Sequence, residues 1–312
     1  MKFSIVLVVA FALAACSKPA ADQETRPDPA PVEGPQETAP EPESAPSTAP
    51  TTQGTQTVTD AAIAARVAEA TKRLEGTEAG RLILASINAH GGLDAWFKGG
   101  DLKFRFTYHP IGKDPNDTRQ TVDIWSSRAV HNVVDKEVSY GWDGQQAWLK
   151  PADANAGTNP RFWSLTPFYF VAIPFVLADA GTVLEPAGTQ EFEGVQWELV
   201  KASFEAGVGD APDDFYVVYI HPETRRVGGV RYIVSYPGFF PDGGHSPEKW
   251  MSYDGAQEVG GITFPETFRT FEWDGKTHGE LKTNTKMHEV SWVPRGETSF
   301  EVPEAAKVLE GF

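Results

Sequence analysis

The stretch Leu102-Lys103-Phe104-Arg105-Phe106-Thr107-Tyr108 decides the fold. Apolar side chains fall on every second residue, the period of a β-strand with one buried face. Similar runs occur at 121–126, 129–135, 138–142, 145–150, 196–204, 215–221, 227–236, 250–253, 262–273 and 280–292. Many of the joins are tight: Asp143-Gly144, Glu193-Gly194, Pro222-Glu223-Thr224, Gly260-Gly261 and Asp274-Gly275. Short joins between consecutive strands require antiparallel pairing, so the sequence predicts a long meander.

Upstream of Gly100 the period is helical. Thr59 or Asp60 can cap a helix carrying Ile63, Val67, Ala70 and Leu74 on one face, with Gly76 as its stop. Thr77 can cap a second helix with Leu82, Ile83 and Ile87, ended by His90-Gly91-Gly92. Leu93 to Phe97 can add one more turn.

The segment Arg161 to Ala178 (RFWSLTPFYFVAIPFVLA) breaks the strand pattern. Thr166-Pro167 reads as an N-cap and first helical position, and Pro174 interrupts the apolar run beyond it. Two short helical turns with a bend are predicted, ending before Asp179. Their side chains are apolar all round, so they form either a buried crossover or a lid over a greasy cavity. The run is too short and too proline-rich for a comfortable membrane span. Phe215 to Ile220 is apolar on both strand faces, so something must cover the second face, and the apolar helices are the obvious candidates.

Of 312 residues, 27 are basic and 43 acidic, a formal charge of −16. Such a chain repels phosphate backbones, and nucleic acid is excluded as a general partner. A single cysteine excludes an internal disulfide and a cysteine-based zinc site. That cysteine comes after a short apolar run, Ile5 to Leu13, in the sequence Leu13-Ala14-Ala15-Cys16. This resembles the lipobox of bacterial lipoproteins, which implies a signal peptide over 1–15 and acylation of Cys16 with palmitate-type chains. Ser17, in place of Asp, implies the outer membrane. Residues 16–57 are rich in Pro, Glu, Ala and Thr, with almost no large apolar side chain. They cannot bury enough surface to offset ordering, and read as a disordered acidic tether. The folded domain is placed at 58–312.

Three features together resemble the LolA/LolB superfamily of bacterial lipoprotein carriers. N-terminal helices precede a long antiparallel meander. The hairpin Tyr140-Gly141-Trp142-Asp143-Gly144-Gln145-Gln146-Ala147-Trp148-Leu149-Lys150-Pro151 is similar to that family's strand, Asp-Gly turn and strand. Thr166-Pro167-Phe168 onward is similar to its inserted hydrophobic helix. A closer likeness is to an uncharacterised group of LolA-like lipoproteins sharing Gly207 to Asp214 and Pro237 to Pro241. The resemblance implies an α+β fold: a large curved antiparallel sheet, an unclosed half-barrel, with N-terminal helices and an apolar helical lid. It also implies an acyl chain or lipidated protein bound between sheet and helices. Gly238-Phe239-Phe240-Pro241 can be an exposed apolar tip or, preferably, a turn packed on the core.

Little in the chain points to catalysis. No histidines pair at metal-binding helical spacing, and there is no Gly-x-Ser-x-Gly elbow or phosphate-binding glycine loop. Gly243 to Glu248 presents His245 and Glu248 on a loop, and Asp210, Asp213 and Asp214 cluster without EF-hand spacing. No enzyme activity, cofactor or metal is expected.

The sequence therefore predicts an outer-membrane-anchored lipoprotein, its domain facing the periplasm, that binds or carries a lipid or acyl chain. An envelope protein is a possible further partner. Trp163, Phe168, Phe170, Ile173, Phe175 and Leu177 are the expected lid contacts. Leu102, Phe104, Phe106, Trp125, Trp148, Tyr216 and Val218 are the expected sheet contacts, with the facing parity open. Two alternatives stay open. One is an envelope glycan-binding protein or hydrolase, which requires ionisable groups clustered in an open cleft. The other is a structural or assembly lipoprotein, which requires a filled core.

Overall fold

Thr59 caps the first helix, α1 (Asp60–Glu75), its side chain accepting from the Ala62 N–H at 3.2 Å. Asp60 in the first turn and Lys72 and Arg73 in the last complement the helix dipole. Thr77 caps α2 (Glu78–Ala89) in the same way, accepting from Gly80 N–H at 2.9 Å. Gly91, at φ 122°, turns the chain into α3 (Gly92–Lys98). This computed structural model describes residues 58–211 and 213–309. The signal peptide, Cys16 and tether expected from the sequence lie outside the described residues.

Five strands come next: β1 (Asp101–Tyr108), β2 (Asn116–Asp123), β3 (Arg128–Val133), β4 (Ser139–Trp142) and β5 (Ala147–Lys150). The apolar segment then forms α4 (Pro160–Trp163), α5 (Thr166–Val171) and a 3₁₀ turn at Phe175–Ala178. After it run β6 (Thr182–Phe192), β7 (Val195–Phe204), β8 (Tyr216–Ile220), β9 (Val227–Tyr232) and β10 (Lys249–Asp254). The remaining strands are β11 (Gln257–Val259), β12 (Ile262–Phe264), β13 (Thr267–Trp273), β14 (His278–Val293) and β15 (Lys307–Leu309).

Thirteen strands form one antiparallel sheet in the order β15-β5-β4-β3-β2-β1-β14-β13-β10-β9-β8-β7-β6, open at both edges. It is an unclosed sheet with helices, as expected. The pairing of β1 with β14, with Leu102 opposite Trp292 and Phe106 opposite Met287, joins the two runs of the meander. Leu102, Phe104 and Phe106 point to the helical side and share one core with α1, α2, α3, α5 and the 3₁₀ turn. At its centre Trp96 stacks on Phe175 with ring centroids 4.4 Å apart. On the opposite face of β1, Arg105 pairs with Asp117 at 2.6 Å and with Glu289 at 3.0 Å.

Several boundaries differ from the sequence reading. The run 262–273 is two strands in two different sheets: β12 pairs with β11 in a separate hairpin, and β13 belongs to the large sheet. Pro265 stands between them, lacking a donor and restricting the residue before it. β2 starts five residues earlier than expected, because its first half is polar yet buries Thr118 and Gln120. α5 begins at Thr166 with Leu165 in the cap position, and Thr166 Oγ1 donates to Phe162 O at 2.5 Å. Asn159 provides a side-chain cap instead, for α4, accepting from Phe162 N–H at 3.1 Å.

The helices cover only one face of β8, the face of Tyr216, Val218 and Ile220. The other face, Val217 and Tyr219, is covered by the end of the β6–β7 hairpin. There Phe192 meets Trp250 at 5.0 Å and Trp273 at 5.5 Å. A bulge between Pro186 and Thr189 interrupts the β6–β7 ladder between this end and the rest of the hairpin.

Candidate functional site

Between the helical face of the sheet and α4–α5 lies a cavity of about 850 Å³. Strand alternation and register set its floor. Tyr216 on β8 is opposite Tyr232 on β9, which is opposite Lys249 on β10. One row further in, Met251 is opposite Thr270, which is opposite Thr283 on β14. The next row carries Phe268 and Thr285, and Phe106 and Tyr108 extend the wall on β1. The roof is the stretch from Arg161 to Phe170. Trp163 packs on Tyr108 at 4.7 Å, Phe170 on Tyr232 at 4.9 Å, and Tyr169 on Tyr216 at 4.9 Å.

The exposed lining residues Lys113, Asp114 and Phe239 mark the open side. Phe239 is 48% exposed and rests against Phe162 at 4.9 Å and Tyr236 at 5.2 Å. The Gly238 to Pro241 turn is therefore neither a free tip nor buried core; it forms part of the cavity rim. Arg161 closes the same side. Its guanidinium lies 3.6 Å from the Trp142 ring centroid and forms an ion pair with Asp210.

Polar and charged side chains are interspersed among these rings. Burial raises the Tyr169, Tyr216 and Tyr232 phenols above their ordinary value, so they stay neutral. Asp214 Oδ1 accepts from Ser235 N–H at 2.6 Å and from its hydroxyl at 2.8 Å, and burial pushes the carboxyl up. Burial pushes the Lys249 ammonium down. Among the described residues no three His, Cys, Asp or Glu side chains gather to hold a metal, and no helix is long and apolar enough to cross a membrane. The interior is not solid, as a filled-core protein would require. Of the lining carboxylates, Asp210 is paired with Arg161, Asp214 is held by Ser235, and Asp114 is exposed.

Four of the thirteen expected contacts line this cavity: Trp163 and Phe170 from the roof, Phe106 and Tyr216 from the floor. Phe168, Ile173, Phe175 and Leu177 belong to the core that α1 to α3 build on the sheet. Leu102, Phe104 and Val218 lie in that same core. Trp125 packs edge-on to Phe97 at 5.8 Å, beneath the Arg66 guanidinium. Trp148 pairs with Gly141 on the sheet face opposite His131 and Tyr140, away from the helices. For the residues on the helical side, the physical reason is that α1 to α3 pack on and fill one part of that face, leaving another part open.

Lys249, Arg161 and Tyr232 were not anticipated as lining residues. Lys249 had a signal: it alternates with Met251 and Tyr253, so a lysine falls on an otherwise apolar strand face.

No family model matches the sequence, and no curated protein matches it. Among solved structures, the fold is similar to a LolA superfamily protein of Nitrosomonas europaea, at 6% identity and a TM-score of 0.47, over 70% of this chain and 94% of that one. It is similar to a DUF1329 family protein of Desulfovibrio piger, at 10% identity and 0.43, over 77% and 97%. A structure named for an outer membrane lipoprotein-sorting protein domain, from Vibrio parahaemolyticus, matches at 8% and 0.41, over 62% and 86%. The chemistry of the cavity belongs to this chain's own residues.

Proposed function

We propose that this protein binds or carries a hydrophobic ligand, a lipid or acyl chain, in the cavity between its sheet and the α4–α5 segment. The observation that carries this reading is the 850 Å³ space itself, open on one side, whose lining combines many rings and aliphatic side chains with charged and hydroxyl groups. That volume lies within the ~300–1,000 Å³ of typical ligand pockets. Apolar surface moved from water into it gains roughly 25 cal/mol per Å². Phe106, Trp163, Phe170 and Tyr216 are the contacts we assign to the ligand. The remaining aromatic and aliphatic residues of the Phe168 to Leu177 stretch hold the roof in place from the core. Binding, without a chemical step, is the activity. Attachment through acylated Cys16 to the outer membrane, with the domain held in the periplasm by the 16–57 tether, completes the proposal, and an envelope protein is its second partner.

Native mass spectrometry of the full-length protein, purified with minimal delipidation, tests it. The expected result is a chain mass plus one or more lipid masses, removable by organic extraction. A bare chain that also fails to take up a fluorescent fatty acid would overturn the reading.

A further inference from the structure

Lys113, Arg161, Lys249 and Lys282 line the cavity. Lys113 is exposed to solvent. Arg161 is engaged by Asp210 and by the Trp142 ring. Lys282 is paired with Glu272 at 2.7 Å and Glu280 at 3.1 Å. Lys249 differs from all three. It points to the cavity with Met251, its nearest ring is Tyr232 at 5.8 Å, and it has no ion-pair or hydrogen-bond partner among the described residues. Asp214, the lining carboxylate that acts on it electrostatically, is already held by Ser235. An ammonium withdrawn from water without a partner is costly, and an oxyanion supplied by a ligand relieves that cost.

Lys249 is half-buried, and Phe106, Phe170, Met251 and Phe268 share the cavity lining with it. The cavity thus offers an unpaired, half-buried cation beside apolar side chains. Building on the hydrophobic-ligand reading, we infer that the ligand is an anionic amphiphile: its carboxylate or phosphate oxygens sit on Lys249 Nζ, and its alkyl tail lies along Phe106, Phe170, Met251 and Phe268.

The test is displacement of the neutral probe N-phenyl-1-naphthylamine from the full-length protein by dodecanoate, dodecyl phosphate and dodecanol, each below its micellar concentration. Wild-type protein should release the probe at about tenfold lower concentration of an anion than of the alcohol, the order expected for one charge-assisted contact. Lys249→Met should erase that lead, the anion and alcohol concentrations needed for displacement becoming equal within that variant, and Lys249→Arg should keep most of it. The larger of the two anionic leads assigns the head as carboxylate or phosphate. Equal displacement by all three compounds in the wild type, or a lead that survives in Lys249→Met, overturns the inference and leaves the cavity reading intact. If none of the three displaces a bound probe, the cavity reading falls as well.

Discussion

His131 on β3 lies fully buried, its ring stacked 4.5 Å from Tyr140, with Nε2 2.9 Å from Ser164 O. A carbonyl can only accept, so Nε2 carries a proton. Burial lowers its pKa to about 4. Between the ordinary 6.5 and that value the unfolded chain binds the extra proton, so stability falls as pH drops through this window. The loss reaches roughly 3 kcal/mol by pH 4. Urea unfolding at pH 7 and pH 4.5 should show this slope, and His131→Gln, which keeps a donor for Ser164, should flatten it. Asp101 at the start of β1 acts in the opposite sense. Its carboxyl is buried beside Asp123, and its pKa is raised to about 7, mainly by burial. Its ionisation therefore opposes folding increasingly as pH rises from about 4 to 7. Asp101→Asn should raise the melting temperature at pH 8, and the gain should shrink towards zero near pH 4.

The segment from Pro160 to Ala178 does two jobs. Its second half is clamped: Phe175 stacks on Trp96, Arg66 pairs with Asp179 at 3.1 Å, and Arg73 donates to Ala178 O. Its first half forms the cavity roof and is fastened at the rim by Arg161. Arg161→Ala removes both the Asp210 pair and the Trp142 contact, so the dissociation rate of a bound fluorescent lipid should rise by about 5–10-fold in stopped-flow release. The junction of α1 and α2 has its own constraint. A Cβ on Gly80 would overlap the Leu74 carbonyl oxygen. Gly80→Ala should cost about 1–3 kcal/mol in chemical denaturation. At this scale the sequence was informative where side chains signal locally. Thr59, Gly76 and Thr77 mark the helix ends, and Pro174 marks the break in the roof segment. β6 escaped the reading because Pro186 and Gly188 interrupt its pattern; the strand tolerates them as the sheet's edge, where a missing donor costs no ladder bond.

At the scale of the molecule, tight turns and alternation made most of the meander legible, since each strand of the large sheet except β15 pairs with a neighbour close in sequence; β15 pairs with the distant β5. The β1–β14 pairing spans nearly the whole domain, and no local signal specifies it. The cavity was legible only as a possibility. Periodicity tells which side chains are apolar and which way they alternate, but not whether those from opposing elements meet. Phe168, Phe175 and Leu102 meet only other side chains, whereas Phe106, Phe170 and Tyr216, members of the same core, also border open space. The central claim is that this space admits a ligand. Met251, on its floor, gives the most direct test, because a larger side chain there fills the chamber from within. Fluorescence titration with N-phenyl-1-naphthylamine should give saturable, one-to-one binding to the wild type and at least about tenfold weaker binding to a folded Met251→Trp variant. Equal affinity in the two proteins, or no saturable binding to either, would contradict the account.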